Sequence, residues 1–532
     1  MEQDNTIYSS KIGVEIWGHR FTNSQRGPEY TLEFLNVFAG TGFSLQKKHY
    51  EKRKMIEFRQ FVYEGEKEGI NGDIAIFEDE KKLIIQDKLG IDEKQLEDLQ
   101  NFFKNLTIPL INPAGKSANR SWYAQMMYPL HESLLFSEIR VKRNKKKNNL
   151  SVDYERNFFA RGGELYYLML YYGTLNNEEL RTNIEKNTKK LLSSTNGVIS
   201  VINKINDSFE KKDSEQFSPL IKDKELAEVI KGWEKSEYPT LPKNDLKIYK
   251  IFAEELNALL MLKLDIYEMF DILTSLITFQ LHRYMIFQAE QISNEKSYYF
   301  IDCLDGQNKS VKFLAQDSYR RHEMTVKDAY EIFVQNRVEE VFSEDKAEYK
   351  INYWRKSFNN KNGYQVLFKE LNFNKLHDPK KKQLIEALET ENIEDAKKML
   401  KYLFIKFYME DLSKNQIPIL KTLARDGQFI VSGKGLKARY VLHDNILSAL
   451  VYITLNGQNN LPFDDFLNEL YQKYRIIIGE DAAKNSGLYS REGVNLAHFR
   501  SNERKMRQKL KQNGLLQEYS DATALIINPY FT

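Results

Sequence analysis

From Phe252 to Tyr284 the apolar residues Phe252, Leu256, Leu259, Leu262, Ile266, Phe270, Leu273, Ile277, Leu281 and Tyr284 recur at steps of three and four. A period near 3.6 held over that distance suits an α-helix and not a strand, whose faces alternate every two residues. Leu260, Met269 and Met285 widen the stripe beyond the narrow seam of a coiled coil. The stretch predicts a long central helix buried in a bundle. A dimeric coiled coil is the alternative, so a homodimer stays open. Asp271 interrupts the most apolar part, "MFDILTSLITF", and Asp265 and Glu268 flank it, which argues against a membrane span.

A chain of 532 residues can bury several cores, and 42% hydrophobic with 29% charged residues is the composition of a soluble globular protein. Lysine and arginine total 78 against 75 acids, so only local clusters could announce a polyanionic partner. Cys303 is the single cysteine, which excludes an internal disulfide and a multi-cysteine zinc site. The start, "MEQDNTIYSSKIG", lacks the basic and apolar regions of a signal peptide, and a cytoplasmic location is the simplest expectation.

Before the central stretch, "IGVEIW" (12–17) alternates like a strand, and Pro28 opens a helix that Gly40 or Gly42 closes. "GFSLQ", "EFRQFVY", "DIAIF" and "LIIQDK" read as short strands, with "EDEK" an exposed turn between the last two. "KRNKKKNN" (142–149) is a basic break, read as a solvated loop with DNA-backbone contact as the functional alternative. Gly162-Gly163 marks close packing or a turn at a helix start, "YFIDC" (299–303) a buried strand, and 326–342 another helix. After charged helical sequence to about 425, "QFIVSGKGLKARYVL" reads as a hairpin turning at Gly433 to Gly435. Asp444 can cap "NILSALVYITL"; "FDDFLNELYQKY" and "NLAHFRSNERKMRQKLKQNG" follow as helices. "LLQEYSD" and "ATALIINPY" then form a two-stranded wing about Asp521. Helix, helix, helix, hairpin is the order of a winged helix.

On the third of those helices Phe499, Met506 and Leu510 share an inward face. Arg500, Arg504, Arg507 and Lys511 lie on one flank, and His498, Lys505 and Lys509 on the other. An anchored helix lined with cations is what phosphate binding requires, and arginine also reads guanine edges.

In "GDIAIFEDEKKLIIQDK" (72–88), Asp73 matches the first acid of the PD-(D/E)xK nucleases, and Gln86 with Lys88 the Q-x-K of their Mrr-type variant. On a strand Gln86 and Lys88 would share a face, Asp73 would carry a Mg2+ ion, and Glu33 could add another acid. "NPAGKSANRSW" (112–122) contains Gly-Lys-Ser but has Leu110 where a phosphate loop needs glycine, so no ATPase is read. There is no G-x-S-x-G, and Cys303 has no evident histidine partner. Asp302, Asp305, Arg320, Arg321 and His322 form a polar cluster that a surface loop explains.

"IWGHRF", "PEYTLEFLNVFAGTGF", "GKSANRSWYAQMMYPLHESLLF" and "RNFFARGGELYYLML" resemble the amino-terminal half of uncharacterised proteins of bacterial defence islands. "RQKLKQNGLLQEYSDATALIINPY" is similar to their carboxyl-terminal wings. The resemblance implies a role beside an ATPase or helicase in a multi-gene anti-phage system; it supplies no catalytic residues.

The expected fold is mainly α with small α/β parts: an N-terminal α/β domain over 1–141, a central helical domain over 150–345, a helical connector over 346–425 and a winged helix over 426–532. The favoured function is a non-catalytic DNA- and partner-binding subunit of a defence complex, needing no cofactor and no membrane. A Mg2+-dependent endonuclease and a protein-only adaptor are the alternatives.

Overall fold

The computed structural model describes residues 8–18, 21, 25–46, 55–65, 75, 77–109, 122, 125–136, 140–144, 149–153, 161–193, 197–209, 240–262, 264–357, 366–368, 373, 376–433, 435–488, 495–520 and 523–530. Its elements open with five helices: Tyr8–Trp17 (α1), Gly27–Gly40 (α2), Ile56–Val62 (α3), Asp79–Leu89 (α4) and Glu93–Asn105 (α5). An antiparallel pair of Arg140–Asn144 (β1) and Asn149–Asp153 (β2) follows, so residues 142–144 and 149 of the expected basic loop are strand residues, and 145–148 lie outside the described residues. Then come Gly162–Thr174 (α6), Glu178–Leu191 (α7), Gly197–Asn206 (α8), Lys247–Leu260 (α9), Ile266–Ser293 (α10) and the short strand Tyr299–Phe300 (β3). Lys309–Val341 (α11), Glu344–Ser357 (α12), Asp378–Glu389 (α13), Ile393–Asn415 (α14) and Ile417–Asp426 (α15) continue the helical run. The last stretch holds the hairpin Ile430–Gly433 (β4) and Leu436–Tyr440 (β5), then Asp444–Leu455 (α16), Asn460–Pro462 (β6), Phe463–Tyr474 (α17) and Ile476–Ile477 (β7). Glu480–Asn485 (α18), Leu496–Gln512 (α19), Leu516–Glu518 (β8) and Ala524–Ile527 (β9) complete it. The protein is mainly α with small sheets.

Several expected strands are helices. Residues 12–17 belong to α1, where Ile12, Ile16 and Trp17 are buried while Val14 and Glu15 are exposed, a helical and not an alternating pattern. "EFRQFVY" forms α3, and "LIIQDK" falls within α4. The α4 sequence begins with Asp79 and Glu80, which favour a helix N-terminus, and stops at Gly90, whose φ of 67° closes it. Of "DIAIF", Ala75 and Phe77 are among the described residues, and Ala75 bridges Glu64. The described residues before β1 therefore carry helices where an α/β sheet was expected.

The stretch from 252 to 284 is two helices, α9 and α10, and not one. Asp265 is the cause. Its carboxylate accepts from the backbone N–H groups of Tyr267 and Glu268, each at 2.9 Å, which caps a fresh helix start. Helix α10 is the hub, packing against α2, α11, α15 and α16.

Because α10 is buried on every side from Ile272 to Ile286, its polar residues there are matched within the core. Arg283 donates to both carboxylate oxygens of Glu255 on α9, at 2.9 and 3.1 Å. Gln280 donates to Glu255 at 2.6 Å and accepts from Tyr166 at 2.6 Å, and Thr274 meets Thr31 at 3.0 Å.

Helix α6 approaches α2 and α9 closely through glycine. A Cβ on Gly163 would stand 2.5 Å from the Tyr30 carbonyl oxygen, and one on Gly173 2.2 Å from that of Tyr249. The expected close packing at Gly162-Gly163 is thus real.

Two histidines face each other across α10 and α11. His282 Nδ1 lies 3.0 Å from the Tyr299 hydroxyl and His322 Nδ1 2.7 Å from that of Tyr440. Both rings are fully buried, and neither Nε2 has a partner. Burial, with the neighbouring His322, holds His282 well below the ordinary histidine range. Burial, with the Arg475 charge, pushes His322 down to about 3. Both are neutral in the folded protein, while the unfolded chain takes up their protons near 6.5. Stability from this pair is therefore complete above pH 6.5 and is lost as the pH falls towards 3. The expected slope is about 1.4 kcal/mol per pH unit per histidine. Urea unfolding at pH 7 and pH 5 measures it, and His322→Gln should remove about 2 kcal/mol of the stability change between those values; an unchanged slope refutes the assignment.

Candidate nucleic-acid interface

Helix α19 starts at Asn495, whose side chain accepts from the Ala497 N–H at 2.9 Å, and Gly514 follows its end with a φ of 68°. Phe499, Met506 and Leu510 are fully buried, as their spacing predicted. Asn502 shares that inward face. It accepts from the Cys303 N–H at 2.8 Å and donates to the carbonyls of Ile301 at 2.8 Å and Ile478 at 3.0 Å. One amide thus ties α19 to the ends of the parallel β3–β7 pair. Sequence reasoning missed this residue, although its place on the apolar face at steps of three and four was an available signal.

The two cationic flanks have different fates. Arg500, Arg504, Arg507 and Lys511 fall within roughly 60° of one another on an ideal helix. Arg500 and Lys511 are 63% and 61% exposed, and each meets one acid: Glu480 and Glu518, both at 2.6 Å. Arg504 is exposed and has no acidic partner among the described residues. The Arg507 guanidinium lies over the Phe463 ring, 4.8 Å from its centroid, which aligns it along the stripe. On the opposite flank His498 Nδ1 lies 2.9 Å from the Asn308 amide. Lys509 is only 20% exposed and pairs with Asp305 at 2.9 Å. That flank is turned towards the chain's own 305–308 segment; Lys505 on it is half-buried.

Around α19 the sheet order β6–β9–β8 is antiparallel throughout, and α17 packs on β6 and β9. The expected wing strands are β8 and β9, with β6 as an unexpected third; Asp521 lies outside the described residues. Asp444 is the first residue of α16 and not its cap; its carboxylate accepts from Asn513 at 2.9 Å.

The Q-x-K geometry does not form. Gln86 and Lys88 sit in α4, where residues two apart point about 200° apart. Lys88 instead donates to the Asp207 carbonyl beyond α8. Asp73 lies outside the described residues. Glu33 is buried as a cap on the start of α6, accepting from Arg161 N at 2.9 Å and Gly163 N at 2.8 Å, with Gln25 donating at 2.9 Å. Among the described residues no group of three or more His, Cys, Asp or Glu could hold a metal ion.

The expected polar cluster is dispersed rather than gathered on a surface loop. Arg320, Arg321 and His322 lie in α11, where both arginines pair with Asp317 at 2.8 and 2.9 Å. Asp302 is buried and accepts from Arg439 at 2.8 Å. Burial pushes the Cys303 thiol up to about 12, so it holds its proton at neutral pH.

The chain matches no protein-family model and no curated protein sequence. No helix among the described residues is long and apolar enough to cross a membrane.

Proposed function

We propose that this chain is a non-catalytic DNA- and partner-binding subunit of a bacterial anti-phage defence complex, acting beside a separate ATPase or helicase. The observation that carries the DNA reading is the outward stripe of Arg500, Arg504, Arg507 and Lys511 on a helix fixed from behind by Phe499, Asn502, Met506 and Leu510. A firm base keeps the cations in register, so a phosphate backbone can be met with little ordering cost. The grouping of α16, α17 and α19 with β6–β9–β8 supports a winged helix in which α19 is the recognition helix. Glu480 and Glu518 hold Arg500 and Lys511 in place, and phosphates would replace them. The defence role and the ATPase or helicase partner are supported by the resemblance of the segments quoted above, and co-purification with the product of a neighbouring gene tests them. The endonuclease alternative loses the strand on which Gln86 and Lys88 would have shared a face.

Duplex DNA binding measured across salt concentrations tests the stripe. Arg500→Gln/Arg504→Gln/Lys511→Gln should weaken binding at least tenfold and flatten the slope of log K against log salt by about 2.7, since each phosphate contact contributes about 0.9. Lys509→Gln should leave that slope unchanged, because Lys509 is held by Asp305. An unaltered slope in the triple variant means that the chain is a protein-only adaptor.

A further inference from the structure

Helix α12 offers a surface that the DNA reading of α19 does not use. Ala347, Ile351 and Trp354 are buried, and the Trp354 ring packs against Phe342 and Phe404, with centroids 5.9 and 6.5 Å away. Arg355 secures the same side, donating to the Leu388 carbonyl at 2.8 Å and to that of Thr390. The helix is thus held firmly from behind.

Its outer face is unusual. Tyr349 is 72% exposed and Tyr353 44%. Their rings lie 10° from parallel, with centroids 6.3 Å apart. Lys346, Tyr349, Lys350, Tyr353 and Lys356 fall within about 120° of arc at roughly 100° per residue. Lys346 and Lys356 are exposed and Lys350 half-exposed, and none of the three pairs with an acid among the described side chains. Glu348 lies at another angle of the helix. Tyr349 leaves most of its ring to water and Tyr353 nearly half, apolar surface that the fold does not bury. Unpaired ammonium groups on either side of them would attract a polyanion, and flat rings in one orientation accept the faces of unpaired bases.

We propose that this face of α12 is a stacking platform for single-stranded DNA. The lysines contact phosphates and the two tyrosines stack on successive bases. A duplex hides its base faces and gains only the charge. The contacts needed are ring faces against bases and ammonium groups against phosphates, neither of which requires a ribose 2′-hydroxyl. The platform is independent of α19 and stands whether or not that helix meets DNA.

Fluorescence anisotropy of the full chain with a labelled oligo(dT) tests it, with an oligo(U) and a duplex of equal length as comparisons. The wild-type protein should bind oligo(dT), and each tyrosine should contribute about tenfold in affinity. Tyr349→Ala/Tyr353→Ala should therefore lose about a hundredfold, while Tyr349→Phe/Tyr353→Phe retains binding because the ring is kept. Both substituted faces are exposed, so the thermal unfolding midpoint should stay at its wild-type value and certify folding. Failure of the wild-type chain to bind oligo(dT), equal binding by the alanine variant, or tighter binding of oligo(U) overturns the proposal. So does a change in oligomeric state alone on removing the tyrosines, which would make the face a protein contact. If the α19 triple variant abolishes oligo(dT) binding while the alanine variant leaves it intact, the strand lies on α19 and the α12 platform is refuted.

Discussion

Arg283→Leu is expected to destabilise the protein by about 3–5 kcal/mol, because it strands a buried carboxylate. Arg283 and Glu255 are 8% and 5% exposed and meet through two contacts near 3 Å. The guanidinium also lies over the Tyr474 ring, 4.5 Å from its centroid, and 5.4 and 5.5 Å from those of Phe252 and Phe279. With Arg283 gone, Glu255 keeps the neutral Gln280 amide as a donor but loses its counter-charge, and must be protonated or rehydrated in the middle of the bundle. Replacing both partners, as Arg283→Leu/Glu255→Leu, should recover most of the loss, since the remaining site is apolar and Gln280 still reaches the Phe252 carbonyl at 3.3 Å. Guanidinium unfolding of the two variants decides it. A single variant within about 1 kcal/mol of wild type would show that the pair is not a balanced buried charge.

Gly173→Ala and Gly163→Ala should each cost about 3 kcal/mol, the upper part of the range for overpacking. At both positions the added methyl group meets backbone, at 2.2 and 2.5 Å, and backbone of a neighbouring helix cannot rotate away as a flexible side chain can. The α6 axis must move outward from α9 or α2, which opens the packing around Tyr166 and Tyr249. Gly197→Ala supplies the contrast. Nothing lies within 4 Å of the point where its methyl group would stand at the start of α8, so alanine there should be neutral or stabilise by about 0.4–1 kcal/mol. Unfolding midpoints that rank the three variants otherwise would refute close backbone approach as the role of these glycines.

The legible parts of the chain share one property: a long period closed by an explicit stop. The helix of Gly27–Gly40 and the helices α16, α17 and α19 were readable because a helical apolar period holds over ten or more residues, and the hairpin at 430–440 because glycines mark its turn between two extended runs. The failures are short. "IGVEIW" and "LIIQDK" are six residues each, a length at which strand and helix burial patterns overlap, and the acidic start and Gly90 stop of α4 outweighed the apolar run. Asp265 reads in the sequence as a charge flanking a long helix, whereas the residue caps a new one. The inward face of α19 was legible, yet Asn502 on that face was not recognised as its anchor.

Local order was thus set within the sequence: a mainly helical chain, its buried stripes, most of its caps, and the row of cations on α19. These depend on residues three or four positions apart, whose relation is the same in any helix. Which charges remain available was decided only by the tertiary structure. Lys509 is matched by Asp305, Glu33 by the start of α6, and Arg283 by Glu255, while Arg504 is left open to water. Such pairings join residues that the chain brings together from distant segments, and their strength follows from the desolvation that packing imposes, which no local pattern records.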